Sequence, residues 1–269
     1  MNSSRSIGIF DSGVGGLSVL QALHRRLPQA RLRYVADTAH APYGERDVGF
    51  VVGRSRRIVA HLVAEGAAGI VVACNTATAA AVRELRATWP QQPIVGVEPG
   101  LKPAVALTRN GRVGVLATGG TLASAKFATL LQAQPAGITF IARPCPGLAR
   151  LIEDGDLEAP GLLAAITEHT GALREAGVDT VVLGCTHYGF VRHHIEAALG
   201  SEVAIVDTAD AVARHAVERF TGLVEGNALD NPRVHLQTTG DVGQLRRIAR
   251  AWLPFACSVD AVPASNPLA

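Results

Sequence analysis

Short β-branched runs recur along this chain with segments of helical period between most of them, and that alternation limits the fold more than any other property of the sequence. The run "IGIF" at Ile7 leads into "GLSVLQALHRRLP", in which Leu17, Leu20, Leu23 and Leu27 repeat at the three- and four-residue spacing of one helix face. Further strands are predicted at residues 32–36, 70–73, 94–97, 113–117, 138–142, 180–184, 203–206 and 234–239. Strands separated by helices read as an α/β fold with largely parallel sheets, in which ligands collect at the carboxyl ends of the strands.

Two of those strands end alike. "VVACNTATAA" from Val71 and "TVVLGCTHYG" from Thr180 each pass from β-branched residues through a small residue to a cysteine, Cys74 or Cys185. Hydrogen-bonding side chains follow at once: Asn75 and Thr76 in one, Thr186 and His187 in the other. The likeness extends to a repeat. "IGIFDSGVGGLS" parallels "VGVLATGGTLAS" at Val113, and "IVGVEPG" at Ile94 parallels "VAIVDTAD" at Val203, all at a spacing of roughly 110 residues. The expectation is two pseudo-symmetric α/β domains with largely parallel sheets facing each other across a cleft. Residues 1–98 plus 208–269 would form the first and 99–207 the second. The segment after 208 has strands and a helix but no third copy of the motif, so it is expected to return to the first domain. "VPASNPLA" reads as a loose tail.

Composition narrows the function. The 269 residues are 48% hydrophobic and 18% charged, with a net charge of +2 and no block of like charges, so nothing points to nucleic acid. "RSRR" at 54–57 is the densest basic cluster and reads as a solvated helix face. No run approaches the roughly 18 apolar residues of a membrane span, and "MNSSRSIGIF" lacks the apolar core of a secretion signal. A cytoplasmic location without membrane partners is expected. Cys74, Cys145, Cys185 and Cys257 form no C-x-x-C pair, which predicts reduced thiols and no metal site.

A cysteine where a strand gives way to a helix meets unpaired N–H groups and the positive end of the helix dipole, and both favour thiolate. A modest lowering from the ordinary thiol pKa of about 8.5 would make a usable base. One thiolate and one thiol on opposite sides of a flat carbanion would take a proton from one face and return another to the opposite face, inverting a stereocentre. Either cysteine alone would read as a small buried hydrophobe; the matched pair favours chemistry. Racemases built on pyridoxal phosphate need a lysine, and Lys102 and Lys126, the only two, lie in no phosphate-binding context. No cofactor is expected.

Other motifs leave alternatives. In "DSGVGGLS", Gly13, Gly15 and Gly16 follow a strand and Asp37 ends a later one, so a dinucleotide site competes. Against it, Ser18 takes the place of the last glycine and Asp11 would set a negative charge beside a pyrophosphate. A carboxylate there suits an ammonium group or a proton relay to a neighbouring thiol. Gly15 and Gly16 read equally as serving a tight turn. In "DTAHAPYGER", Pro42 restricts the loop, Tyr43 offers a hydroxyl and Gly44 lets a ligand approach the backbone; the loop reads as a carboxylate holder or a capped connection. His187 is spaced to orient or protonate Cys185. Glu153 in "LIEDGDL" reads as a surface helix residue, and His193 and His194 as helix or loop faces.

"GIFDSGVGGLSVL", "ADTAHAPYGER", "VVACNTAT", "GVEPGLKPAV" and "GCTHYGF", in that order between Ile7 and about Asp207, resemble the glutamate racemases, cofactor-independent enzymes that supply D-glutamate for bacterial peptidoglycan. The resemblance implies that Cys74 and Cys185 are the acid/base thiols, with Asp11 assisting Cys74, His187 assisting Cys185, and Glu153 an acidic group near the second thiol. It implies that Ser12, Tyr43 and Gly44 serve the side-chain carboxylate and Asn75, Thr76 and Thr186 the amino-acid end. Asp11 and His187 would also touch substrate, and Thr118 and Thr121 would add carboxylate contacts. It further implies glutamate as substrate, a homodimer, and, with six residues before the first strand, no long N-terminal extension of the kind through which some relatives respond to a peptidoglycan precursor. An aspartate or other racemase of the same superfamily would keep both thiols and alter the pocket; "DSGVGG" and "PYGER" favour glutamate. A non-catalytic amino-acid binder and a dinucleotide-dependent enzyme are the rivals from other classes.

Overall fold

The structure, a computed structural model, describes residues 5–223 and 233–263. Ten strands order the chain: β1 (Ser6–Asp11), β2 (Arg31–Ala36), β3 (Ala67–Val72), β4 (Ile94–Gly96), β5 (Arg112–Ala117), β6 (Thr139–Pro144), β7 (Thr180–Leu183), β8 (Ala204–Val206), β9 (Val234–Thr238) and β10 (Ser258–Ala261). They form two wholly parallel sheets, one ordered β10-β9-β2-β1-β3-β4 and the other β6-β5-β7-β8. Within each half the order of the first four strands is second, first, third, fourth. β3 and β7, which lead into Cys74 and Cys185, therefore occupy the same place in the two α/β domains.

Parallel strands need helical crossovers on the sheet faces, and the helix periods supply apolar stripes for them. The helix Leu17–Arg26 buries Leu17, Leu20 and Leu23 completely against β1 and β2. Each such side chain contributes about 1.5–3 kcal/mol. The helix Val48–Ala64 begins where Asp47 accepts N–H bonds from Gly49 and Phe50, and it closes the other face of the first sheet through Val51, Ile58, Val59 and Leu62. In the second sheet, Leu101 and Ala104 pack with Val113 and Val115 on one face, while Leu148, Ile152, Leu162 and Ile166 cover the other.

Two sequence expectations are corrected here. β10 was absent from the predicted strands because "SVDA" carries a single apolar residue that is large enough to mark a strand; it forms by adding to the edge of β9. Within "VPASNPLA", Val262 is buried and donates its N–H to the Thr238 carbonyl, so the chain is pinned at that point. Residues 264–269, the rest of the expected tail, lie outside the described residues. Among the described residues, no helix is long and apolar enough to cross a membrane.

Candidate active site

Cys74 follows β3 and caps the N-terminus of the helix Asn75–Thr88, its sulfur accepting the Ala77 N–H at 3.4 Å. Its other neighbour is the Ser12 hydroxyl, 3.9 Å away. Cys185 follows β7 at the start of the short 3₁₀ turn Thr186–Val191, with its sulfur 3.5 Å from His187 Nδ1. Both thiols are buried.

The Gly-rich turn after β1 joins the two settings. Asp11, fully buried, accepts the Gly13 N–H at 2.8 Å and the Ser12 hydroxyl at 3.1 Å on Oδ1, and the Thr186 hydroxyl at 2.9 Å on Oδ2. The Val14 N–H donates to Glu153 Oε1 at 2.7 Å, and that same oxygen receives His187 Nε2. Glu153, at the end of the helix Leu148–Glu153, is thus buried under His187 rather than exposed on a helix surface. None of Gly13, Gly15 and Gly16 has a positive φ. Their role is close approach: a Cβ on Gly13 would lie 1.9 Å from Glu153 Oε1, and one on Gly15 would lie 2.3 Å from His187 Nδ1. Gly13 and Gly15 are required because Glu153 and His187 press directly on the backbone of the turn, and Gly16 because Asp11, Tyr34 and Ala73 close around it.

A second set of contacts crosses between domains. The Thr76 hydroxyl lies 2.9 Å from that of Thr118 and 3.3 Å from that of Thr121, while Thr118 and Thr121 are 3.0 Å apart. Gly44 abuts Thr118, where a Cβ would come within 2.6 Å of the threonine side chain. Asn75 is buried, and its amide nitrogen has no hydrogen-bond partner among the described residues. The Tyr43 hydroxyl donates to Asp37.

Asp37 is held by more than Tyr43. Arg54 grips it with Nε at 2.9 Å and a terminal nitrogen at 2.6 Å, Thr239 donates at 2.8 Å, and His40 Nδ1 lies 3.0 Å away. Asp37 therefore has no free oxygen for a ribose hydroxyl, which removes the basis for a dinucleotide site. Arg54 itself is buried, not part of a solvated basic face. Its spacing gave the signal: it stands three residues after Val51 and four before Ile58, on the apolar stripe of its helix.

The charged neighbours of the two thiols differ: Asp11 stands near Cys74, and His187 beside Cys185. Burial, reinforced by the charge of Asp11, pushes the Cys74 thiol well above its ordinary pKa, against the helix-start N–H bond from Ala77. The thiolate expected there from helix position alone is thus disfavoured. Burial also raises the Asp11 carboxyl, with His187 and the Gly13 N–H pulling the other way. For His187, burial works against the imidazolium, but Cys185 and Glu153 outweigh it and hold the pKa well above the ordinary histidine value. A protonated His187 donates from both ring nitrogens, one to Glu153 and one toward the Cys185 sulfur. Cys145, the third buried thiol, is pushed up by burial to about 12.

Among the described residues, one grouping offers three metal-ligand atoms: Glu158, His193 and His194. It lies on the surface of the second domain, where His194 Nε2 is 3.0 Å from Glu158 Oε1.

Two parallel sheets related by strand order, each presenting a cysteine at the same strand end, with carboxylate, imidazole and hydroxyl groups between them, define an α/β isomerase architecture. The chain belongs to the Asp/Glu/hydantoin racemase family, whose model matches residues 11–216. Among curated relatives, it is 51% identical over 211 residues to a glutamate racemase of Pseudomonas aeruginosa, covering 78% of this chain and 80% of that one. It is 46% identical over 263 residues to a glutamate racemase of Stutzerimonas stutzeri, covering 95% of each. Among solved structures, a glutamate racemase isoform from Bacillus anthracis superposes with a TM-score of 0.86 at 32% identity, over 97% of this chain and 98% of that one. The Escherichia coli glutamate racemase, solved with L-glutamate and the activator UDP-MurNAc-ala, also gives 0.86, at 29% identity over 96% and 98%.

Proposed function

We propose that this protein interconverts L- and D-glutamate without a cofactor, using Cys74 and Cys185 as its two acid/base groups, and that it supplies D-glutamate for peptidoglycan. The observation that carries the reading is the unequal pair: a thiol held protonated beside Asp11, and a sulfur facing a protonated His187 backed by Glu153. Inversion requires one proton donor and one acceptor, and in this reading Cys74 is the donor and Cys185, facing His187, the acceptor.

In this reading, Cys185 removes the α-proton of L-glutamate as a thiolate, and Cys74 delivers its proton to the other face. Negative charge that develops on the α-carboxylate is met by the Asn75 amide, the Thr76 and Thr186 hydroxyls and the helix-start N–H groups; donors set in advance for such charge lower the barrier. The unpartnered Asn75 nitrogen supports this, since a buried donor without a protein acceptor is open to a ligand. The substrate's side-chain carboxylate is taken by Ser12 and the backbone at Tyr43 and Gly44, with Thr118 and Thr121 across the cleft. Because its hydroxyl hydrogen goes to Asp37, Tyr43 contributes there through its N–H. We assign residues 1–98 plus 208–269 to the domain carrying Cys74 and residues 99–207 to the domain carrying Cys185. A homodimer is the assembly we propose.

A chiral assay of the purified protein with L-glutamate and no additive tests the reading. In deuterium oxide, the D-product should carry deuterium at Cα from the first turnovers while recovered L-glutamate stays mostly protonated. Activity that needs pyridoxal phosphate, or equal early labelling of both enantiomers, would overturn it. Cys74→Ala and Cys185→Ala should each abolish nearly all racemisation.

A further inference from the structure

We infer that Tyr34 is a positioning residue for the Cys185 arm of the reaction, acting through the peptide that joins Gly13 to Val14. This rests on the racemase reading given above.

Tyr34 lies on β2, fully buried, and its hydroxyl donates to the Gly13 carbonyl at 2.6 Å. The Val14 N–H belongs to the same peptide plane. In a trans peptide, C=O and N–H point in opposite directions, so fixing one aims the other. Here the N–H is aimed at Glu153 Oε1, 2.7 Å away. Glu153 in turn holds His187 Nε2, and His187 Nδ1 faces the Cys185 sulfur at 3.5 Å. A continuous series of hydrogen bonds thus runs from a core tyrosine of the first domain to the reacting sulfur of the second. Donation to a carbonyl also polarises its amide and strengthens the bond that the N–H makes, so the contacts reinforce one another.

The surroundings keep Tyr34 a donor under all working conditions. Burial, and then the charges of Asp11 and Glu153, hold its hydroxyl pKa well above the ordinary value. The space around it is closed as well: a Cβ on Gly16 would come within 2.9 Å of the hydroxyl oxygen. Among the described residues, the Tyr34 hydroxyl is the group that holds the Gly13 carbonyl.

Tyr34→Phe keeps the ring and removes the donor. The expected result is a loss in kcat/KM of roughly five- to tenfold, as for one hydrogen bond to a charged network. A role in general packing would give the same loss in any background. A role through Glu153 gives a loss that largely disappears in a Glu153→Gln enzyme, because the acceptor is already weakened. The second readout needs no turnover: the downfield proton resonance of the His187–Glu153 hydrogen bond should shift in Tyr34→Phe. Equal losses in both backgrounds together with an unmoved resonance would overturn the inference. A wild-type protein that fails to racemise glutamate would sink the racemase reading instead, and the resonance would still report on the hydrogen-bond series. Should Tyr34→Phe not fold, 3-fluorotyrosine placed at position 34 alters the acidity of the donor at nearly constant volume; the same resonance should then move, and its constancy would count against the inference.

Discussion

Asn75 buries an amide nitrogen with no partner among the described residues, a condition that costs about 1–3 kcal/mol in an unliganded protein. Removing that group relieves the cost and, on the proposed reading, also removes a substrate contact. Asn75→Ala is therefore expected to melt no lower than wild type while its kcat/KM for glutamate falls about tenfold or more, as calorimetry and a chiral assay would show. A parallel loss of stability would mean that Asn75 is part of the scaffold. Gly15 behaves in the opposite sense. A Cβ there would sit 2.3 Å from His187 Nδ1, so Gly15→Ala must displace the imidazole. On the proposed reading His187 positions Cys185, and misplacing such a group by about an ångström costs on the order of a hundredfold in rate, so kcat should fall by about that much with an unchanged circular dichroism spectrum. The placement of Cys74 and Cys185 at matching strand ends, with His187 beside the second, was legible from sequence because a repeated pattern singled it out. The burial of Glu153 was not, since its partners, the Val14 N–H and His187, are distant in sequence and belong to no periodic signal.

The loop and helix that follow β2 work as one clamp. Asp37 closes β2, Arg54 reaches it from the helix Val48–Ala64, and Tyr43 between them donates to the same carboxylate. Although burial alone would raise the Asp37 pKa, Arg54 and Tyr43 outweigh it and hold the carboxyl below its ordinary value. A depressed carboxyl stabilises the fold fully above the unfolded value near 3.9, and that contribution is lost as pH falls through the lower folded value. Asp37→Asn should thus cost about 3–5 kcal/mol at neutral pH, as expected when one partner of a buried pair is removed. It should also flatten the acid limb of a urea-denaturation series; an unchanged limb would show that other carboxylates dominate acid unfolding. At this scale, β-branched runs placed nine of the ten strands within about three residues of their observed bounds. β10 escaped because edge pairing, not its own composition, makes it a strand.

Across the whole molecule, the two domains share more than the reacting cleft. Trp252 packs against cores on both sides and stacks on Phe190 with centroids 4.2 Å apart. Trp252→Ala should lower stability by about 2–4 kcal/mol in chemical denaturation, with Cys74 and Cys185 chemistry retained at low temperature. Strand order, too, was partly written in the sequence: the repeat foretold two similar halves, but nothing local foretold that each sheet would place its first strand inside its second and third.

The high proton affinity of Cys74 has a consequence for bookkeeping between turnovers. On the proposed reading, converting L- to D-glutamate leaves the proton on Cys185 and a bare sulfur at Cys74, a form that burial and the charge of Asp11 disfavour. The enzyme then remembers which enantiomer it last released until solvent returns it to rest. Far above KM, that recovery should become the slow step. A labelled mixture of enantiomers already at equilibrium would then be driven transiently toward one hand when excess unlabelled L-glutamate is added, and a flat tracer trace at every concentration would mean that the memory fades faster than the next encounter.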